Sequence, residues 1–197
     1  MNLLNENLWK IQLRIADGDQ QALAELYQHF HKKLHHFSMA LLRSSELAEE
    51  VVEDLFVKLW TNRSSVKKID NLTVYLYVAV KNASLNKLSR KARDLVAAPF
   101  DFFDIDVNDS LPNPHDIMVT SEMMERMYKA IEALPPRCKM IFKLIREDQL
   151  KYKEVSQILN ISVNTIDAQM AIAVKRICHA LQIDSAEKKF FQGSPKK

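Results

Sequence analysis

The chain has 197 residues, of which 47% are hydrophobic and 27% charged, with two glycines, two cysteines and a formal net charge of +3. This composition excludes wholesale disorder and a disulfide framework, and the shortage of glycine argues against doubly wound nucleotide folds and β-sandwiches. The longest apolar run, VYLYVAV, is far shorter than the roughly 20 residues of a membrane span, and no secretory signal is visible at the N-terminus. We therefore expect an all-α, reduced, cytoplasmic protein.

Charge divides the chain into three parts. Residues 1–93 carry fourteen basic and ten acidic residues, 94–121 carry six aspartates and no basic residue, and 122–197 carry fourteen basic and nine acidic residues. The middle part contains Pro99, Pro112 and Pro114 and lacks a helical apolar period, so we interpret it as a flexible linker, called here the acidic linker. The predicted domains are therefore 1–93 and 122–182, followed by a C-terminal tail over 183–197.

Helical periodicity dominates the first domain. Apolar positions predict one helix over 22–30, followed over 34–41 by its continuation or by a second helix. A further helix is predicted over 45–62, with Ser44 or Ser45 as its N-cap. One side of this helix is apolar and faces a core. The opposite side, called here the acidic face, carries five acidic residues, namely Glu46, Glu49, Glu50, Glu53 and Asp54.

The next part of the chain, 63–93, is called here the basic segment, because it carries eight Lys and Arg residues against one acidic residue, Asp70. A turn is predicted over 62–71 and a helix over 72–93, with Tyr75 and Tyr77 near the start of that helix. Such a segment is typical of nucleic-acid binding, although a solvated helix face gives the same pattern.

The second domain contains the most informative pattern. Helices are predicted over 122–134 and from Pro136 or Arg137 onward, separated by a pair of prolines. Residues 152–177 then predict a helix-turn-helix, with a break at Asn160 and an N-cap at Ser162, and a plain helical hairpin is the structural alternative. The second helix directs a set of residues away from its apolar stripe. Among them, the Asn and Gln side chains suit adenine, and the Lys and Arg side chains suit phosphates. These residues are Asn164, Thr165, Ala168, Gln169, Ile172, Lys175 and Arg176.

Three segments, taken in order, resemble a known family. Residues 46–60 (ELAEEVVEDLFVKLW) look like region 2.2 into 2.3 of the sigma-70 family of bacterial transcription initiation factors, and residues 75–90 are similar to region 2.4. Residues 130–137 (AIEALPPR), with the helix-turn-helix that follows, are similar to region 4. The order, the spacing and the acidic linker resemble the small extracytoplasmic-function (ECF) type over roughly residues 10–180. The resemblance implies two small helical domains, a region 2 bundle and a region 4 helix-turn-helix domain.

The resemblance also implies partners and site residues. The protein would bind core RNA polymerase, direct it to promoter DNA and help to open the duplex, and a membrane-linked anti-sigma factor is a further implied partner. The residues implied in polymerase docking are Glu49, Glu50, Glu53, Asp54 and Lys58. Those implied in recognition of the −10 element and capture of the unwound strand are Arg63, Lys67, Asn71, Lys81, Asn82, Lys87 and Arg90. Those implied in recognition of the −35 element are Ser162, Asn164, Thr165, Ala168, Gln169, Lys175 and Arg176.

The sequence departs from the family pattern at Asn86, where Asp is frequent, and at Ser89, where Arg is frequent. Asp167 places an acid near the start of the recognition helix, where it stabilises the helix N-terminus but repels phosphate. The base preference at the −35 element is therefore left open.

Other classes of function find less support. His31 and His35 are four residues apart on a helix, but no third ligand follows at helical spacing, so we expect no metal site. No catalytic or cofactor-binding signature occurs, so we expect neither an enzyme nor a cofactor nor a small-molecule substrate. Two alternatives remain, a helix-turn-helix regulator that binds duplex DNA without polymerase, and a sigma mimic that titrates an anti-sigma factor.

Overall fold

The computed structural model of the chain describes residues 3–94 and 121–181, and within these ranges it contains nine α-helices and no strand. The helices belong to two compact units. The first unit contains α1–α5, and the second is built on α6, α7 and α9, with α8 leading into α9. This confirms the predicted all-α, two-domain fold class. Residues 95–120 of the acidic linker and the tail over 183–197 lie outside the described residues, and the predicted domain boundaries stay predictions.

The first unit consists of α1 (Leu3–Ala16), α2 (Gln20–Leu42), α3 (Ser45–Thr61), α4 (Arg63–Val66) and α5 (Leu72–Asp94). Helix α2 is continuous, which decides between the two alternatives for 22–41. Helix α1 was not predicted, and the predicted turn over 62–71 contains the single helical turn α4. Asp19 begins α2 as its N-cap, where its carboxylate accepts hydrogen bonds from the backbone N–H groups of Gln21 (2.8 Å) and Ala22 (3.2 Å).

The core of the first unit lies where α2, α3 and α5 pack together. Leu34 of α2 and Val52 of α3 are fully buried, and Tyr77 of α5 is buried with its ring 5.3 Å from that of Phe37. The sequence placed Tyr75 and Tyr77 together near the start of a helix, but only Tyr77 is part of the core. Burial of these apolar side chains provides most of the stability of such a bundle.

The second unit contains α6 (Ser121–Glu132), α7 (Pro136–Arg146) and α9 (Val163–Ala180), together with α8 (Tyr152–Leu159) as far as Ser156. Helix α7 begins at Pro136, where the missing N–H costs no hydrogen bond. Ile141 of α7 is fully buried in the core, together with Ile166 and Ile177 of α9. Lys139 is also buried, and its ammonium group forms an ion pair with Glu132 at 3.0 Å, which links α7 to the end of α6.

Candidate nucleic-acid and protein interfaces

The acidic face is an exposed surface of α3. Ser44 is the N-cap of this helix, because its hydroxyl accepts a hydrogen bond from the backbone N–H of Leu47 at 3.3 Å. The opposite side of α3 is buried in the core of the first unit, so the polar residues are directed to solvent. The exposed residues of this face are Glu46, Glu50, Glu53, Asp54 and Lys58. Val57 lies next to Glu53, Asp54 and Lys58 in the helix and is 64% exposed, which places an apolar side chain beside the charges of this surface.

Glu49 differs from the other acids of α3 because it is half-buried against α2. One of its carboxylate oxygens lies 2.7 Å from Nε2 of His31, and the other lies 3.7 Å from Nε2 of His35. The His31 ring is stacked on Tyr27 with a centroid distance of 4.6 Å. The two histidines therefore hold a carboxylate, and among the described residues no group of His, Cys, Asp and Glu is arranged to hold a metal ion.

An ion pair joins the acidic face to the basic segment. The Lys87 ammonium group of α5 lies 2.5 Å from a carboxylate oxygen of Glu50 on α3. The sequence assigned these two residues to different functions, polymerase docking and DNA binding. Their contact means that each is the other's partner in the free chain.

The start of the basic segment is held by α1. The Gln12 side chain is buried and donates hydrogen bonds to the backbone oxygens of Val66 (3.1 Å) and Ile69 (2.9 Å). The Arg63 guanidinium lies over the ring of Trp60 at 5.0 Å, a cation–π distance. This anchoring presents the exposed side chain of Arg63 in a defined position.

The remaining predicted −10 residues have different surroundings. Lys67 is exposed, whereas the side-chain oxygen of Asn71 accepts a hydrogen bond from the backbone N–H of Val74 at 3.0 Å and so supports the start of α5. On α5 itself, Asn82 and Arg90 are exposed and Lys81 is half-buried. The predicted set therefore combines solvent-facing residues with residues that also stabilise the fold.

Tyr75 is an aromatic residue that the sequence reading did not include in the site. It is 43% exposed, on the same helix as the predicted DNA-binding residues. Its exposure could have been predicted, because Tyr75 lies outside the apolar stripe formed by Leu72, Leu76 and Val80, all of which are buried. An exposed aromatic ring beside basic residues provides a stacking surface for unpaired bases.

The helix-turn-helix is present with the predicted turn. Helix α8 ends at Leu159 and is capped by Asn160, which has φ 56° and ψ 48°, in the left-handed region. Asn tolerates this region better than most residues, so the turn forms without glycine. Inside the turn, the Ser156 hydroxyl donates a hydrogen bond to the backbone oxygen of Ile161 at 2.6 Å. The small side chain of Ser156 thus closes the turn and sets the direction in which α9 begins.

Ser162 and Thr165 form the N-terminal cap of α9. The Ser162 hydroxyl accepts a hydrogen bond from the backbone N–H of Thr165 at 3.0 Å, and the two hydroxyl oxygens lie 2.8 Å apart. The buried stripe of α9 contains Ile166 and Met170, as the apolar spacing predicted. The exposed residues of its predicted reading face are Asn164, Ala168, Ile172, Lys175 and Arg176.

Gln169 has surroundings that the sequence did not indicate. It is half-buried, and its side-chain oxygen accepts a hydrogen bond from the thiol of Cys138 at 2.9 Å. Cys138 is 3% exposed, near the start of α7. Burial raises the pKa of the Cys138 thiol, and the positive charges of Arg176 and Arg137 act in the opposite direction. No sequence signal connects Cys138 with Gln169, because they lie on different helices.

Comparisons with known proteins agree with this geometry. The family model described as Sigma-70 region 2 matches residues 26–94, and the one described as Sigma-70, region 4 matches residues 124–177. The ECF RNA polymerase sigma-E factor of Escherichia coli (strain K12) is 23% identical over 175 residues, covering 86% of this chain and 91% of that protein. The ECF RNA polymerase sigma factor SigW of Bacillus subtilis (strain 168) is 23% identical over 164 residues, covering 80% and 87%.

A solved structure has a similar fold. CnrH, solved in complex with the cytosolic domain of CnrY, matches this chain with a TM-score of 0.53 and 16% identity, covering 90% of this chain and 98% of that one. In the part of the chain that the structure describes, no helix is long and apolar enough to span a membrane. The matched regions, their order and the relatives together show that the chain belongs to the sigma-70 family as an ECF sigma factor, a transcription initiation factor that directs RNA polymerase to promoters.

Proposed function

We propose that three surfaces of this chain divide the work of promoter-directed initiation. The acidic face of α3 docks on core RNA polymerase, the basic segment binds the −10 element as an unwound strand, and the exposed face of α9 reads the −35 element. The proposed domains are region 2 over 1–93, the acidic linker over 94–121, region 4 over 122–182 and a tail over 183–197. The observation that carries this proposal is the presence of an acidic and a basic surface on one compact unit.

Docking through the acidic face is supported by its exposure and composition. Glu53 and Asp54 are exposed, and the exposed Val57 follows them on the same helix. An apolar residue beside charges is a common arrangement in protein interfaces, where the charges guide association and exclude wrong partners. The partner surface is therefore expected to be cationic beside an apolar contact.

Binding of single-stranded DNA by the basic segment is supported by its combination of cations and aromatic rings. Such binding requires a positive track for phosphates and flat surfaces for bases. Arg63 over Trp60 forms one flat surface, and the exposed Tyr75 provides another. Lys67, together with Lys81, Asn82, Lys87 and Arg90, lies along the same segment, and the turn that contains Arg63 and Asn71 is proposed to hold a flipped base.

Recognition of the −35 element is assigned to α9 because its exposed face carries small and polar residues beside Ile172. Asn164 and Ala168 allow close approach to base edges, and Lys175 and Arg176 suit phosphates. Few cations lie on this helix, and Asp167 is exposed near its start. The affinity of α9 for DNA is therefore expected to be low by itself and to increase when polymerase holds the first unit on the same promoter.

A membrane-linked anti-sigma factor is the proposed regulatory partner. The fold resembles that of CnrH, which was solved with the cytosolic domain of another protein, CnrY. A protein described by its cytosolic domain has a further part elsewhere, which is why a membrane-linked partner is proposed here. The proposed location of this chain is the cytoplasm, where core polymerase and promoters are found, and no enzymatic activity or cofactor is proposed for it.

Run-off transcription with purified core polymerase tests the docking assignment. The variant E53K/D54K reverses two exposed charges of the acidic face, and Glu50 is left unchanged because its replacement would also release Lys87. The control D17K reverses an exposed acid of the first unit that lies outside both this face and the basic segment. We expect E53K/D54K to reduce specific transcripts about tenfold or more and the control to retain them. Equal activity of the two variants would refute docking through the acidic face.

A further inference from the structure

One half of the Gln169 amide is already occupied within the second unit. The side-chain oxygen, Oε1, accepts a hydrogen bond from Sγ of Cys138 at 2.9 Å, across a sequence separation of 31. Cys138 is buried near the start of α7, and Gln169 lies at the border between the buried stripe and the exposed face of α9. The contact therefore holds the end of a side chain that faces both the core and the predicted DNA surface.

The chemistry of the two groups fixes the direction of this hydrogen bond. The amide oxygen carries no hydrogen and can only accept, so in the contact between Sγ and Oε1 the thiol is the donor. Burial raises the pKa of Cys138, although Arg176 and Arg137 oppose this, so the thiol keeps its proton at neutral pH and remains a donor. Oε1 keeps a second lone pair, but it is directed at a thiol that is 3% exposed, so the Nε2 amino group is the half of the amide presented to other partners.

We infer that Cys138 is a positioning residue that makes Gln169 a donor-only reader of base edges in the −35 element. This inference rests on the proposed placement of α9 at that element. A free glutamine pairs with adenine through two hydrogen bonds, accepting from N6 and donating to N7. Gln169 held by Cys138 has Oε1 directed at the buried thiol of α7, so it presents only the Nε2 donor to a base edge and suits acceptors such as guanine O6 and N7 or thymine O4. It does not accept from the amino group of adenine or cytosine.

This differs from the adenine preference that the residue type alone suggested. Asn164 is exposed and has no comparable contact among the hydrogen bonds described for this helix, so it retains both halves of its amide for base recognition. Two amide residues of one recognition helix thus have different hydrogen-bonding capacity, and the difference comes from α7, which itself need not contact a base.

The test uses the full chain bound to core polymerase and a pool of duplexes with a randomised −35 element upstream of a fixed host promoter. Base preference at each position is compared for wild type, Q169A, C138A and C138S. The matched control is C178A, which removes the other described thiol, also 3% exposed but located on α9. Thermal unfolding of each variant is measured in parallel, so that a loss of folding is separated from a change in preference.

We expect Q169A to lower the preference at one base pair about 2- to 10-fold, the size of a single hydrogen bond. C138A is expected to keep a preference at that pair but to shift it toward adenine, because the released amide can pair through both atoms. C138S, whose hydroxyl also donates, and C178A are expected to keep the wild-type profile. A wild-type profile for C138A, or no affected position in Q169A, would overturn the inference.

A second measurement needs no substitution in the protein. At the base pair identified with Q169A, two kinds of base analogue are compared. One lacks the hydrogen-bond acceptor of the preferred base (its ring nitrogen or carbonyl oxygen), and the other lacks only an exocyclic amino group. Loss of the acceptor should weaken binding about 2- to 10-fold, and loss of the amino group should have no effect. Weakening on removal of the amino group would contradict a donor-only role.

Failure of the inference is distinguishable from failure of the proposed placement of α9. Lys175 and Arg176 are exposed on that helix and are assigned to phosphates, so K175A/R176A should weaken binding to all −35 sequences by a similar factor. If K175A/R176A has no effect, α9 is not at the −35 element, and the inference falls with the proposal. If it weakens binding evenly while C138A leaves the profile unchanged, only the inference fails.

Discussion

Helices α3 and α9 have the same amphipathic plan, but their exposed faces are built differently. On α3, two of the predicted partner-binding acids are held by other helices, Glu49 by histidines of α2 and Glu50 by Lys87 of α5. On α9, the exposed residues Asn164 and Ala168 are small and extend directly from the helix. An interface based on charge gains from side chains that are already oriented, because orienting them on binding costs conformational entropy. An interface that must enter a DNA groove gains instead from small side chains, since they let the helix approach the bases.

We also expect the two units to unfold independently of each other. Truncation of a large buried side chain in either core gives the strongest test. Leu34 of α2 and Ile141 of α7 are both fully buried. We expect L34A to destabilise the first unit and I141A the second, each by about 2–5 kcal/mol, because each leaves a cavity in one core only. Hydrogen exchange of the full chain, analysed by unit, measures this. Loss of protection in both units after one substitution would show that they unfold as one.

The turn of the helix-turn-helix provides the next largest effect, and it is specific to the second unit. Asn160 has φ 56°, where a β-branched side chain is strained. We expect N160V to destabilise the second unit by about 1–2 kcal/mol and to weaken −35 recognition, because the start of α9 shifts. N160G, which suits the left-handed region, is the control and should keep wild-type recognition. Equal behaviour of N160V and N160G in thermal unfolding would show that this backbone conformation is not required.

The N-caps of α3 and α9 allow a direct comparison of the two helices. Ser44 and Ser162 each accept a hydrogen bond from the backbone of the following turn, at 3.3 Å and 3.0 Å. Replacement of either by alanine should cost about 1 kcal/mol in the free energy of unfolding of its own unit. S162A should also weaken −35 recognition, since Ser162 and Thr165 begin the reading helix, whereas S44A should leave it unchanged. The same promoter-binding assay applied to both variants decides whether capping of α9 has this second role.

The Glu50–Lys87 ion pair is expected to give the smallest effect on stability. Glu50 is 57% exposed at its side chain, so solvent screens the attraction, and the coupling energy should not exceed about 1 kcal/mol. A double-mutant cycle with E50A and K87A measures it. The control cycle pairs K87A with E53A, because Glu53 is an exposed acid of the same helix outside this ion pair, and its coupling should be near zero. Equal coupling in the two cycles would mean that the 2.5 Å contact has no specific energy.

The predictions from sequence succeeded where the deciding interactions are local. Apolar residues at intervals of three and four predicted α3 and α9, and their buried and exposed sides follow that spacing. The break at Asn160 and the Ser162 cap were also predicted, because turn and cap preferences depend on neighbouring residues. Prediction of the acidic face and of the basic segment required only the distribution of charged residues along the helices. Helix α1 was not predicted, and its contact through Gln12 with the backbone of Val66 and Ile69 depends on tertiary packing.

By itself, then, the sequence determined most of the helices, the turn before the recognition helix and the apolar side of each predicted helix. The tertiary structure alone decided which exposed residues are held by another helix. His31 meets Glu49 across a sequence separation of 18, and Cys138 meets Gln169 across 31. Such contacts depend on which helices pack together and on the position of one helix along the axis of the other. Helical periodicity specifies a face of a helix but not its partner, and this is the physical reason why the pairs emerged only from the packed structure.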